Sequence, residues 1–110
     1  MLHRMHLQAE HYVKILRGEK TIELRLYDEK RQKIKCGDEI ELINASDREQ
    51  KLMVQVVALH RFNSFWELFS ALSVHACGFN SIDDYKVMEA YYSEKEQFLW
   101  GVVGIEFKTI

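Results

Sequence analysis

The sequence of 110 residues contains no proline and only five glycines. Because these two residues dominate linkers and flexible tails, their scarcity predicts a single domain over residues 1–110. No apolar run approaches the ~20 residues that a membrane-spanning helix needs. No charged segment precedes an apolar stretch near Met1, as a secretory leader would require. We therefore expect a cytoplasmic protein that does not enter membranes.

Cysteine is equally scarce. Cys36 and Cys77 are far apart and follow no pairing pattern, which suits a reducing compartment better than a disulfide-built scaffold. His75-x-Cys77 and His3-x-x-His6 are short pairs of metal-binding residue types, but neither has a second pair at zinc spacing. A partly buried histidine and a free thiol explain them better. We predict neither a metal nor a cofactor.

The net charge of −2 argues against a general nucleic-acid-coating protein. Its distribution is uneven, because the segment 14–35 holds eight basic and four acidic residues. A locally positive surface on an otherwise acidic domain can attract one anionic ligand. The alternative is a solvated face of mixed charge.

Hydrophobic periodicity predicts short strands and helices in the order β-α-β-β-β-α-α-β. The glycine at position 18 ends the first helix, and Ser-x-x-Glu pairs at 64–67 and 93–96 have the form of capping boxes. The segment 28–35 is interpreted as a basic loop or short strand, and 44–50 as a polar turn region. Strands are expected at 5–8, 21–27, 39–44, 51–62 and 101–110, and helices at 10–17, from 64 and from 81.

The strands are too short and too amphipathic for a doubly wound parallel sheet. Hairpin-length links join the middle strands, which favours an antiparallel, barrel-like sheet with helices at its side and ends. The predicted fold class is therefore α+β. In the strand 21–27, one face is apolar and the other, formed by Thr21, Glu23, Arg25 and Tyr27, is polar.

Lys20, Glu23 and Arg25 are the strongest candidates for a functional site. Two residues along a strand span about 6.6 Å, so Glu23 and Arg25 can pair or hold one ligand together. An arginine fork suits phosphate or carboxylate, a lysine supplies a point charge, and a glutamate accepts protons from a base edge or a water. The alternative is an exposed salt bridge that contributes little.

These residues belong to Gly18-x-Lys20-x-x-Glu23-x-Arg25, which resembles the G-x-K-x-x-E-x-R signature of ASCH domains, a group related to PUA domains. The resemblance continues through the turn at 35–38 and the closing strand at 101–106, and so covers essentially the whole chain. It implies a small, bacterial-type, single-domain member with a PUA-like pseudo-barrel.

The resemblance further implies a cleft between barrel and helices that binds RNA or a modified nucleoside or nucleotide. Lys20, Thr21, Glu23 and Arg25 would then contact the ligand. Lys30 and Arg31, with Lys33 and Lys35 beyond them, are candidate phosphate contacts, although a soluble loop explains them as well. Tyr91 and Tyr92, or Phe62, Phe65 and Trp66, are candidates for base stacking, but helical spacing places most of them in the core.

The alternative function is that of a hydrolase at the same cleft. Some ASCH proteins are amidohydrolases acting on acetylated cytidine, and an RNA-processing ribonuclease is also known. In the amidohydrolase branch the motif lysine, matched by Lys20, is catalytic, but its threonine nucleophile is replaced here by Glu23. Glu23 would then act as general base on a water, with Lys20 or Arg25 stabilising the oxyanion. A third hypothesis is a protein-interaction adaptor with an exposed apolar patch away from the motif.

Overall fold

The computed structural model describes all residues from 1 to 110. The chain forms five strands and five α-helices, with one 3-10 turn before the fourth helix. The strands are β1 (Leu2–Leu7), β2 (Ile22–Leu26), β3 (Glu39–Asn44), β4 (Asp47–Phe62) and β5 (Val102–Thr109). The helices are α1 (Ala9–Leu16), α2 (Glu29–Gln32), α3 (Phe65–Ala71), α4 (Tyr85–Tyr91) and α5 (Glu94–Trp100), and the 3-10 turn covers Ile82–Asp84.

The strands form one curled sheet in the order β1-β3-β4-β5-β2. This arrangement confirms the predicted α+β, PUA-like pseudo-barrel with flanking helices. Three of the four pairings are antiparallel, but β1 and β3 run parallel, so the sheet is mixed. A parallel neighbour requires a long crossover connection, which α1, β2 and α2 provide.

The long strand β4 contributes to the curvature of the sheet. It pairs with β3 and then with β5, and its register with β5 shifts between Val56 and Ala58. A β-bulge of this kind bends a strand and increases its twist. The β3–β4 turn is tighter than the predicted polar region 44–50, because Asn44 Oδ1 accepts a hydrogen bond from Ser46 N at 2.9 Å. Strand β4 therefore begins at Asp47 rather than near Lys51.

Two buried apolar clusters lie on the two sides of the sheet. The first joins α1 to β1, β3, β4 and β5 and includes Tyr12 and Ile15. The second joins β2 to α3 and α4 and includes Leu24, Phe65 and Met88. Strand β2 thus presents its apolar side chains to the second cluster, as the alternation predicts. Its polar side chains are left to face the space between α1 and α4.

The prediction of a loop or strand over 28–35 is wrong, because part of that segment is the short helix α2. Asp28 is its N-cap, and its carboxylate accepts a hydrogen bond from Arg31 N at 3.2 Å. The same carboxylate pairs with Arg31 Nη1 at 3.0 Å. An N-cap of this kind satisfies an otherwise unpaired backbone donor, which favours a helical turn over an extended chain.

Helices α3 and α5 begin directly after the predicted cap residues Ser64 and Ser93. The capping box of Ser93 and Glu96 is confirmed at the start of α5. At α3, Ser64 Oγ accepts from Glu67 N, but the Glu67 carboxylate accepts from Asn63 N instead of closing the box. None of the helices combines the length and the apolar character that a membrane span would need.

Candidate ligand-binding cleft

The buried carboxylate of Glu23 lies at the centre of a charged cluster on β2. Lys20 Nζ is 2.8 Å from Glu23 Oε1. Arg25 approaches the other oxygen, with Nε donating to Oε2 at 2.9 Å and Nη2 at 2.7 Å from it. The three side chains of the motif therefore converge on one point, where two ion pairs, one at each carboxylate oxygen, hold them together.

Lys20 is almost completely enclosed, with 2% of its surface exposed. It follows the turn after α1, where Gly18 adopts a left-handed conformation with φ of 76°. A second left-handed glycine, Gly78, lies against it, and a Cβ built at Gly78 would be only 2.8 Å from Lys20 Cδ. The backbone at Gly78 therefore covers the lysine stem, while the Phe79 ring lies 5.9 Å from Nζ.

Arg25 connects the two edge strands of the sheet. Its Nη2 donates to the backbone carbonyl of His6, on β1, at 2.9 Å. Because β1 and β2 are the outer strands in the sheet order, this hydrogen bond spans the gap through which the pseudo-barrel is open. The guanidinium thus lines the cleft and also joins β2 to β1.

One wall of the cleft is the polar face of α1. His11 Nδ1 lies 2.9 Å from Lys20 Nζ, and the His11 ring packs against Phe79 with centroids 5.3 Å apart. One turn later, Lys14 Nζ donates to the Gly78 carbonyl at 2.8 Å and to Glu10 at 3.3 Å. The helix is therefore tied to the loop that covers Lys20.

The opposite wall is α4, which contributes Tyr91 and the adjoining Tyr92. The Tyr91 hydroxyl accepts a hydrogen bond from Gln8 Nε2 at 3.0 Å, so a polar contact joins the two walls. The volume between them is about 430 Å³, within the range of small-molecule sites.

The environment of Glu23 keeps it ionised. Burial raises its pKa, but the charges of Lys20 and Arg25 and their hydrogen bonds lower it by more, to about 2. For Arg25, burial lowers the pKa, and the Glu23 carboxylate outweighs that effect and raises it. Cys77 lies nearby in the core, where burial raises the pKa of its thiol to about 11. The thiol is therefore uncharged at neutral pH and is a poor nucleophile.

Most of the remaining sequence candidates lie outside the cleft. Thr21 is exposed, and it does not line the cleft. Lys30 and Arg31 lie on α2, also outside the cleft, and Arg31 is paired with Asp28. Their contact with a ligand stays a prediction. Among the aromatic candidates, Tyr91 and Tyr92 line the cleft, Phe65 is core, and Trp66 packs on Tyr85.

Sequence reasoning missed His11, Lys14 and Gly78. His11 and Lys14 are three residues apart on α1, and that spacing places them on one helical face, beside the buried stripe of Tyr12 and Ile15. This signal is present in the sequence. Nothing local, in contrast, indicates that Gly78 packs on Lys20, because 58 positions separate them. No group of three His, Cys, Asp or Glu side chains is arranged to hold a metal ion.

Comparison with known proteins identifies the family. The chain matches the family model described as ASCH domain over residues 5–110. The protein belongs to the ASCH domain family. This membership is consistent with RNA binding in general, and members of the family are generally associated with nucleic acids.

Two solved structures resemble this ASCH domain over its whole length. The crystal structure of hypothetical protein PH0355 has a TM-score of 0.88 and 36% identity, with 100% of both chains covered. The solution NMR structure of protein PF0455 from Pyrococcus furiosus has a TM-score of 0.78 and 35% identity, with 100% of this chain and 98% of that chain covered. The search of curated proteins found no match.

The close packing of Gly78 on Lys20 leads to a first prediction. Gly78→Ala should lower the free energy of unfolding by roughly 3 kcal/mol, because an alanine there combines left-handed strain with overpacking. Gly18→Ala is the matched control, since Gly18 has the same kind of φ but a Cβ added there would meet nothing within 4 Å. Gly18→Ala should lower the free energy of unfolding by about 1 kcal/mol. Urea unfolding at neutral pH measures both, and equal losses would contradict the packing argument.

The lowered pKa of Glu23 predicts loss of stability in acid. Its folded pKa, about 2, lies below the ordinary value of 4.5. The stabilisation is therefore complete above pH 4.5 and is lost as pH falls from there towards 2. The shift corresponds to roughly 3 kcal/mol. Urea unfolding between pH 7 and pH 2 measures it.

Asp38 titrates in the same range, because hydrogen bonds from His3 and from Lys35 N lower its pKa to about 2. The experiment is therefore carried out on Asp38→Asn as well as on the unmodified protein. A pronounced acid dependence should persist in Asp38→Asn. If Asp38→Asn keeps its full free energy of unfolding below pH 4, the pKa of Glu23 is not lowered by Lys20 and Arg25 as proposed.

Proposed function

We propose that this ASCH domain binds single-stranded RNA by accepting one unstacked nucleotide into the cleft between α1 and α4. The observation that carries the proposal is the buried Lys20–Glu23–Arg25 cluster on the cleft floor. A buried ion cluster is weak support for stability, because apolar residues of similar size often serve a fold as well or better. Charged groups concentrated in a cleft are typical of functional sites.

The walls suit a nucleotide. Single-stranded RNA is commonly recognised through bases that stack on aromatic side chains. Tyr91 is 57% exposed and lies at the cleft wall, while Tyr92 stacks on Phe65 with ring centroids 5.7 Å apart. Because Tyr91 is exposed and the adjoining Tyr92 is held by Phe65, a base can stack on the Tyr91 ring without a large rearrangement. Lys14, on the facing wall, provides a cation for the backbone.

Binding is favoured over the alternative, amide hydrolysis on an acylated nucleoside. In that mechanism Glu23 would act as general base, and an effective base has a pKa near the operating pH. With a pKa of about 2, the carboxylate has little tendency to take a proton from water. Each of its oxygens also pairs with a cation, which stabilises the ionised form. A role as a fixed hydrogen-bond acceptor agrees better with this environment.

The proposal is tested by anisotropy titration of a labelled single-stranded RNA of mixed sequence. Arg25→Gln should weaken binding at least tenfold, since it removes a charge-assisted contact. Lys108→Gln is the control, because it removes the same charge from an exposed position outside the cleft. Affinity should also fall as salt rises. Urea unfolding confirms that the variants are folded, and equal affinities would overturn the proposal.

A second pair of variants separates cleft stacking from the adaptor hypothesis. Tyr91→Ala should weaken RNA binding about tenfold, the usual effect of losing one base-stacking ring. Phe98→Ala removes a ring that is 92% exposed on α5, outside the cleft, and should leave RNA binding unchanged. The reverse pattern would favour an interaction surface on α5 and contradict the cleft.

The hydrolase alternative has its own measurement. Acetylcytidine is incubated with the protein, and release of cytidine is followed by chromatography. We expect no release above the rate in buffer, because the cleft lacks a base of suitable pKa. Release that disappears in both Lys20→Gln and Glu23→Gln, but not in Lys108→Gln, would establish the enzyme instead.

A further inference from the structure

The free hydrogen-bonding groups of the cleft floor can be counted atom by atom. The Lys20 ammonium has three N–H donors. One is directed at Glu23 Oε1, 2.8 Å away, and another at His11 Nδ1, 2.9 Å away; the third is enclosed, since 2% of the Lys20 surface is exposed. Glu23 Oε2 receives Arg25. Three of about four acceptor positions on the carboxylate are therefore used, and the remaining one is on Oε1.

The contact with Lys20 determines the tautomer of His11. An ammonium can only donate, so Nδ1 must accept and the ring proton lies on Nε2. Burial lowers the pKa of His11, and the Lys20 charge lowers it further, which keeps the ring neutral. Nε2 has no hydrogen-bond partner in the protein, yet it is not among the buried unpaired atoms. It is thus a solvent-accessible donor at the cleft.

Arg25 supplies a second free donor. Its Nε and Nη2 are engaged by Glu23 and by the His6 carbonyl. Nη1 makes no hydrogen bond in the protein and is not a buried unpaired atom either, while 15% of the side-chain surface is exposed. The floor therefore presents donors from His11 and Arg25 on either side of Glu23.

The charge of the whole cleft is balanced, while the free groups of its floor are two donors and one acceptor position on Glu23. Lys14, Lys20 and Arg25 are offset by Glu10, Glu23 and Asp84, which are the charged residues that line the cleft. A neutral lining does not especially favour a phosphate at the floor. It favours an uncharged group that brings hydrogen-bond acceptors.

We propose that the cleft selects a uracil-type base, whose imide edge offers acceptor, donor and acceptor in that order. The two carbonyl oxygens would accept from His11 Nε2 and Arg25 Nη1. The N3–H between them would donate to the remaining position on Glu23 Oε1. The inference rests on the proposed RNA binding and names the base that occupies the same site.

The other bases match this pattern less well. Cytosine and adenine place an amino group where uracil has a carbonyl, so a donor would meet the donor of His11 or Arg25. A buried donor without a partner weakens binding by roughly tenfold or more. Guanine has one carbonyl but also an amino group beside its N1–H, which leaves one mismatch.

The test compares short single-stranded oligomers of uridine, cytidine and adenosine by anisotropy titration at one salt concentration. We expect the uridine oligomer to bind about tenfold more tightly than the other two. A uridine oligomer methylated at N3 should lose most of this advantage, because it lacks the proton that Glu23 accepts. Changing the ligand rather than the protein avoids any effect on folding.

Three outcomes are distinguishable. Equal affinity for all three oligomers, still weakened by Arg25→Gln, would overturn the base preference and leave RNA binding intact. Preference for cytidine or adenosine would overturn the proposed arrangement, in which His11 and Arg25 donate and Glu23 accepts. Absence of binding to every oligomer would overturn RNA binding itself and the base preference with it.

Discussion

The Glu23 carboxylate, shared between two cations, is the interaction on which the geometry of the cleft depends. Removing three charges from water is costly, and such a cluster persists only where charge pairing and hydrogen bonds offset the lost hydration. Here Lys20 and Arg25 reach different oxygens of the same group. Each cation is also anchored away from the cluster, Lys20 at His11 on α1 and Arg25 at the His6 carbonyl on β1. The cluster therefore sets the relative positions of three elements as well as the polarity of the floor.

Much of this arrangement could be predicted from the sequence, because it depends on local spacing. The alternation in 21–27 places Glu23 and Arg25 on one side of a strand, and Gly18 marks the turn that brings Lys20 to its start. These inferences concern residues within a few positions of one another, where backbone geometry leaves little freedom. The α+β class could be predicted for a similar reason, because short amphipathic strands joined by short links can pack in few ways.

The remaining features depend on contacts between distant parts of the chain. Gly78 covers Lys20 only because the loop before α4 folds back over α1, and no local pattern indicates that approach. The parallel pairing of β1 with β3 likewise depends on where the intervening elements pack. Helix α2 was missed for a different reason, because its four residues are too few to show a helical period. The one local feature of the sequence that favours a helix start here is Asp28, a residue type common at N-caps.

The position of Arg25 couples the stability of the fold to the chemistry of the cleft. Edge strands leave backbone groups unpaired, and Nη2 satisfies one of them on β1 while Nε holds Glu23. Nη1 is left for the cleft. A lysine could not make all of these contacts, because an ammonium is a single point charge whereas a guanidinium distributes five donors over a rigid plane. A ligand that accepts from Nη1 would also restrain the guanidinium that bridges β1 and β2. Binding at the floor and closure of the pseudo-barrel should therefore reinforce one another.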